Sequence, residues 1–453
     1  MLGSNVLQSL NGSVNAVWVG RVLGEEALAA TSNANLVMFL ILGTIFGVGL
    51  AATILVGQAF GRRDLDRARR VVGTGAAFFA GISTVMAVGG YLLTDEILAL
   101  LGTPGDARPL AAAYLRVIFI AVPFMNAFSL LMTVLRGAGD SRTPFLFMGL
   151  AVALDIVLNP LLILGVGPLP RLGIAGSATA TLVSQAIGLA ALLTLLYARK
   201  HPLRLSGPDL RYLRPDPAIL RALVGKGVPM GLQMIVISSA SLMLMGLVNG
   251  YGSRTAAAYG VAAQLWSYVQ MPALAIGAAV SSMAAQNIGA GRWDRVNRIT
   301  GAGVLFNIAL TGSLVALLYA VDEPLLRLFL PTDAEAVATA MHVNRIVAWS
   351  FVLFGVMIVL FATVRANGAV TPPLLILTFS IMIVRVPFAY ALQERWGADA
   401  VWWSFPLGFA LAASLAVAYH RFGNWRAAKM IEDRPPVGEP PDTGLGTPRE
   451  RAL

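Results

Sequence analysis

The sequence predicts an all-α polytopic membrane protein, with about twelve transmembrane helices arranged as two six-helix lobes. Three observations predict it. Apolar runs long enough to cross a bilayer recur from end to end, only 12% of the residues are charged, and the two halves of the chain repeat one another. The 453 residues are 57% hydrophobic, with a mean hydropathy of +0.74. A soluble domain carries about 25% charged residues. There is no cysteine, which excludes disulfides and thiolate metal sites. His201, His342 and His420 are far apart and stand in no metal-ligand motif. The net charge of +10 does not indicate a nucleic-acid partner, because the arginines gather in loops, where they report topology.

Taken in order, the expected spans are 2–20, 33–58, 71–93, 112–135, 145–167, 173–197, 227–250, 256–284, 299–320, 343–364, 373–392 and 401–419. The first is polar for a lipid-facing helix, so it either packs inside the bundle or belongs to a chain that starts upstream of Met1. No basic stretch precedes it, and no cleavable signal is expected. Basic residues favour the even-numbered loops and the C-terminal tail by roughly three to one, which places both termini in the cytoplasm; the expected location is the plasma (bacterial inner) membrane. The expected organisation is an N-terminal lobe 1–197, a polar cytoplasmic linker 198–226, a C-terminal lobe 227–419 and a Pro-rich, charged, disordered tail 420–453.

The halves superpose at a shift of 228 residues. Gly24 falls on Gly252, Gly49 on Gly277, Gln58 on Gln286 and Gly61 on Gly289. LRGAGDSRTP (135–144) matches VRANGAVTP (364–372) with one residue deleted. Six spans per half is an even number, so the lobes should be related by a pseudo-two-fold along the membrane normal, with a cavity between them. The glycines of VGQAFGRRD and AAQNIGAGRWD read as helix ends and tight turns. No strand precedes them and no Lys-Ser/Thr follows, as a phosphate loop would need.

One span carries a carboxylate deep within it. FLFMGLAVALDIVLNPLLILGVG (145–167) holds Asp155, then Asn159 one turn later on the same face, then Pro160. A carboxylate at mid-membrane depth faces a polar cavity, titrates readily when buried and marks an ion or substrate path, here read as a cation site; the plainer reading is a hydrogen bond that fixes helix packing. Pro160 removes the partner of the Ile156 carbonyl and should kink the helix. Arg385 is the second deep charge, within a residue or two of the repeat position of Asp155. It is read as lining the cavity, binding an anionic group or holding an internal carboxylate, or else as snorkelling or packing at a helix end.

These motifs together resemble the multidrug and toxic compound extrusion (MATE) family of cation-coupled exporters. The resemblance runs through LNGSVNAVWVGRVLGEEALAA (10–30), VGQAFGRRD (56–64), LRGAGDSRTP (135–144), LDIVLNPLLILGVGPLPRLGIAGSATATLVSQ (154–185), KGVPMGLQ (226–233) and AAQNIGAGRWDRV (284–296). It implies a V of two lobes that exports organic, often cationic or amphipathic, compounds by alternating access against H⁺ or Na⁺. The acidic residue that many members carry in the first helix falls here on Asn15. The family's Asn-x-x-x-Asp pair is reversed here to Asp155-x-x-x-Asn159, and Thr181 belongs to the same resembled site. Further acids of some subgroups, in the seventh and tenth helices, are missing from this sequence.

The expected coupling site is therefore Asp155 with Asn159, Asn15 and Thr181, taking H⁺ or coordinating Na⁺ through oxygens. Substrate-cavity candidates are Arg385, Met38, Phe39, Asn126, Gln233, Met234, Tyr268 and Met271, polar, aromatic or adaptable side chains. No cofactor, no resident metal and no nucleic-acid partner is expected, and the protein is expected to be a monomer in contact with membrane lipid. Two alternatives stand beside this. One is a lipid-linked oligosaccharide flippase of the same architecture. The other is an intramembrane enzyme, for which no pair of acids, HExxH or Ser/His pair exists within the spans.

Overall fold

The structure is a computed structural model that describes Trp18 and residues 46–431, apart from 101, 104, 106, 167–169 and 331–332. Every regular element among the described residues is helical. The N-terminal half supplies α1 (Phe46–Gly61), α2 (Leu65–Leu92), a short α3 (Thr94–Leu100), α4 (Arg108–Gly137), α5 (Arg142–Leu164) and α6 (Ile174–Ala198). The C-terminal half supplies α7 (Pro217–Asn249), α8 (Ser253–Gly289), α9 (Trp293–Ala320), a short α10 (Asp322–Phe329), α11 (Ala334–Val347), α12 (Ser350–Ala366), α13 (Thr371–Trp396) and α14 (Asp399–Phe422). Among the described residues nine helices are long and apolar enough to cross a membrane, and up to ten if α11 and α12, bent by 44° at their junction, form one span. The expected span 2–20 and much of 33–58 lie outside the described residues.

The repeat is written into the elements. Adding 228 to the bounds of α2 gives those of α9, and adding it to the start of α3 gives the start of α10. The short helices α3 and α10 were not expected from hydropathy, since neither is long enough to span. Each opens on an acidic pair, Asp95–Glu96 and Asp322–Glu323, where the N-terminal end of a helix favours negative charge. The halves differ in their next helix: α4 runs unbroken through Pro123, whereas its counterpart divides into α11 and α12.

Two expected boundaries change. The polar segment 198–226 is not one loose linker. Asp216 accepts hydrogen bonds from the N–H groups of Ala218 and Ile219, and Pro217 starts α7 there. The stretch before it is strapped along α2. The Tyr212 hydroxyl donates to Asp66, Arg69 Nε donates to the Pro202 carbonyl, and a Cβ at Gly73 would lie 2.4 Å from the Tyr212 carbonyl oxygen. Residues 420–431, expected to belong to a disordered tail, are packed against the bundle. Trp425 and Met430 are buried, and Asn367 Nδ2 donates to the carbonyls of Trp425 and Arg426. The remainder, 432–453, lies outside the described residues. Aromatic contact accompanies this docking: Trp425 meets Trp293 edge-on, with ring centroids 6.1 Å apart.

Large apolar side chains cover the outside of the bundle, among them Val85, Leu146, Val157, Leu242 and Phe306. In water such a surface would aggregate; in a bilayer it is the solvated face. The interior uses small residues where helices meet closely. A Cβ at Gly176 would lie 2.6 Å from the Leu162 carbonyl, so glycine there lets α6 close on α5.

Candidate functional site

The close approach of α5 and α6 brings three of the four expected coupling residues together. Asp155 is 2% exposed and Asn159 fully buried, both on the face of α5 turned to α6. The Thr181 hydroxyl donates to Asp155 Oδ1 at 3.2 Å. Asn159 Nδ2 donates to the Ser177 hydroxyl at 3.2 Å. Ser177 and Thr181 are themselves one turn apart on α6, so two i, i+4 pairs face each other as the rungs of a polar ladder. Tyr114 of α4 is buried within electrostatic range of Asp155. Helix α5 runs on through Pro160 to Leu164, and the Gly165 N–H closes it on the Leu161 carbonyl. Asn15 lies outside the described residues.

The cavity candidates divide. Met38 and Phe39 lie outside the described residues. Asn126 is buried inside the N-terminal lobe, where its Nδ2 donates to the Ser83 hydroxyl at 2.7 Å, so it braces α4 against α2. Gln233 is buried and accepts from Arg365 Nη1 at 2.9 Å. Met234 and Met271 are half-buried, and Tyr268 is exposed with its hydroxyl accepting from Gln264. Arg385 is 4% exposed and sits inside the C-terminal lobe, far from the snorkelling position at a helix end.

The glutamines matched by the repeat hold the lobes together. Gln58 Nε2 donates to the Ala366 carbonyl at 2.7 Å, and Gln286 Nε2 donates to the Gly137 carbonyl at 2.9 Å. Each reaches the last residue of a helix in the other lobe, where carbonyls lack an intrahelical partner. The Ser282 hydroxyl adds a third bond, to the Arg136 carbonyl at 2.6 Å. Glycine makes the approach possible. A Cβ at Gly61 would lie 1.9 Å from the Gln286 carbonyl oxygen, and one at Gly289 would lie 2.1 Å from that of Gln58. The sequence showed these residues as repeats; their partners across the seam carried no signal in it.

A family model described as MatE matches residues 1–161 and 229–391, more than half of the chain. This chain belongs to the MatE family. The two matched stretches begin 228 residues apart, the same shift that superposes the halves. Among curated relatives of this MatE protein, the probable multidrug resistance protein YoeA of Bacillus subtilis is 40% identical over 93% of this chain and 91% of its own length. The probable multidrug resistance protein YpnP of the same organism is 34% identical over 96% and 95%. A solved structure titled as the outward-facing conformation of a multidrug resistance MATE family transporter superposes with a TM-score of 0.85, covering 93% of each chain at 22% identity. The protein is thus a multi-pass membrane transporter of the multidrug efflux family, and not an enzyme.

Within this MatE fold, the sequence reading missed Ser177. Its only signal is its place one turn before Thr181 in GSATAT, a run rich in small residues that reads as helix packing.

Proposed function

We propose that the protein is a cation-coupled antiporter that exports organic small molecules by alternating access, with the coupling ion bound at Asp155. The observation that carries this is the buried carboxylate on α5, held by Thr181 and set one turn from the Asn159–Ser177 pair. A carboxylate at this depth is costly as a bare anion. A proton or cation entering from one side relieves that cost, and departure to the other restores it. H⁺ is the leading ion. The hydroxyls of Thr181 and Ser177 with the Asp155 carboxylate also form a set of hard oxygen ligands suited to Na⁺, which keeps Na⁺ close behind. The basic bias of the even-numbered loops supports a cytoplasmic location for the end of the bundle that carries Gln58 and Gln286. On that orientation the lobes meet at the cytoplasmic side, an outward-open arrangement.

The test is ethidium export from proteoliposomes under separately imposed pH and Na⁺ gradients. Wild type should respond to one of the two gradients. Asp155→Asn should lose gradient-driven flux by roughly tenfold or more while still binding ethidium. Transport by Asp155→Asn at the wild-type rate would remove Asp155 from coupling.

A further inference from the structure

Arg385 poses a problem that the coupling site does not solve. Among the described residues its Nε and Nη2 atoms are buried without a hydrogen-bond partner. These two atoms form one edge of the guanidinium, the edge that grips two carboxylate oxygens side by side. Its plane is already engaged, since Cζ lies 3.5 Å from the centre of the Phe405 ring and 5.6 Å from that of Phe409. Gly408, between those phenylalanines on the same face of α14, clears the path of the side chain: a Cβ there would lie 3.0 Å from Arg385 Cδ. The fold thus fixes the cation on its faces and leaves its recognition edge unmatched.

The backbone that carries it is also unusual. From Thr378 to Arg385 the helix α13 is π-helical, and the Val386 N–H bonds the Ile381 carbonyl five residues back. Such turns are rare and gather at functional sites. Ser380 lies in the same π-helical segment, about one turn before Arg385. Ser380 is fully buried, and its hydroxyl also has no partner among the described residues. Three unmatched polar atoms therefore lie within about one turn of a single segment. A cation left this way inside a membrane protein is expensive unless a ligand arrives. The surrounding wall is aromatic: Phe405 and Phe409 are joined by Tyr259, which stacks on Trp402 at 5.6 Å, and by Trp266.

We propose that Arg385 and Ser380 form a binding site for the carboxylate of an aromatic, amphipathic solute, so that the cargo of this transporter includes organic anions and zwitterions. The proposal deepens the efflux reading and rests on it for the word cargo, but binding itself is separable from transport. The guanidinium edge takes both carboxylate oxygens, the Ser380 hydroxyl donates to one of them, and the ring of the solute meets the phenylalanine wall.

The experiment is isothermal titration of the purified full-length protein in detergent with 1-naphthoate and with 1-naphthamide, its uncharged isostere. Wild type should bind naphthoate at least tenfold more tightly than naphthamide. Arg385→Gln should bring the two to equal affinity, Arg385→Lys should keep part of the preference, and Ser380→Ala should weaken naphthoate several-fold without touching naphthamide. Thermal melts show whether each variant is folded; if Arg385→Gln is not, Ser380→Ala and Arg385→Lys decide. Equal binding of the two probes by wild type, or an unchanged preference in the folded variants, overturns the site. Asp155→Asn should keep the naphthoate preference while losing driven flux, so a failure of coupling and a failure of this site give different results.

Discussion

Asp140 shows how a residue outside the membrane holds the helix that carries Asp155. Its Oδ1 accepts from the N–H groups of Arg142 and Thr143 at 3.0 Å, tying down the first turn of α5. Burial pushes its carboxyl up, but the hydrogen bonds from Thr143 and Arg142, with His201 nearby, outweigh this and hold it below the usual aspartate value. An acid with a lowered folded value contributes stability above its unfolded value, near 3.8, and loses it as pH falls through the folded one. Asp140→Ala should therefore cost about 1 kcal/mol at neutral pH. The difference from wild type should vanish in thermal melts carried into strong acid; a pH-independent difference would show that the carboxylate is not what matters. At this scale the sequence pointed to Asp155 and Asn159 because an acid in an apolar run stands out and helical spacing fixes its face, whereas Thr181 came only from the family resemblance. The bond from Asn126 to Ser83 could not be read in advance, because a polar residue within a span looks the same whether it lines a cavity or bonds a neighbour.

Between elements, the glutamine pair is the device that closes the bundle at one end. Each bond should contribute about 1 kcal/mol net, so Gln58→Leu with Gln286→Leu should shift the balance between closed and open ends by roughly thirtyfold. The sequence contains no cysteine, so spin labels can be placed at Arg62→Cys and Arg292→Cys without background. Their distance distribution should gain a longer population in the double variant; an unchanged distribution would deny the pair this role. Gly61→Ala should act the same way, because the added carbon meets backbone that cannot give way locally. The repeat made these residues visible in the sequence, yet only three-dimensional proximity shows that Gln58 reaches Ala366 rather than its own lobe. The π-helical turn of α13 was likewise invisible, since SIMIVRVPF has the apolar pattern of an ordinary span.

For the whole molecule, the asymmetry of basic residues makes a topological prediction. A phosphatase or fluorescent reporter inserted after Arg63 should read cytoplasmic, and an external reading would reverse the orientation assigned to the closed end. The fold class and the duplication were legible because hydropathy and the 228-residue shift are properties of the chain itself. The strapped connection between halves was not, because a segment rich in Pro and Arg reads as solvent-exposed whether or not a neighbour such as Gly73 receives it.

That strap constrains how the lobes can rock. The Asp216 N–H donates to the Thr74 hydroxyl at 3.1 Å, so the first turn of α7 is fastened to α2 of the N-terminal lobe. Farther along, Ala240, Leu244 and Val248 of the same helix are packed in the core of the C-terminal lobe. On the proposed alternating access, a rigid rod clamped at both ends would lock the molecule, and α7 is continuous helix between the two clamps, with no loop there to absorb the motion. The flexure must lie within α7, where Pro229 deprives the Gly225 carbonyl of its helical donor and Gly225, Gly227 and Gly231 flank it. Gly225 has open space where a Cβ would go, with nothing within 4 Å. Gly225→Ala should therefore disturb no packing while stiffening the hinge, and turnover should slow with binding unchanged. Unaltered turnover would move the pivot elsewhere.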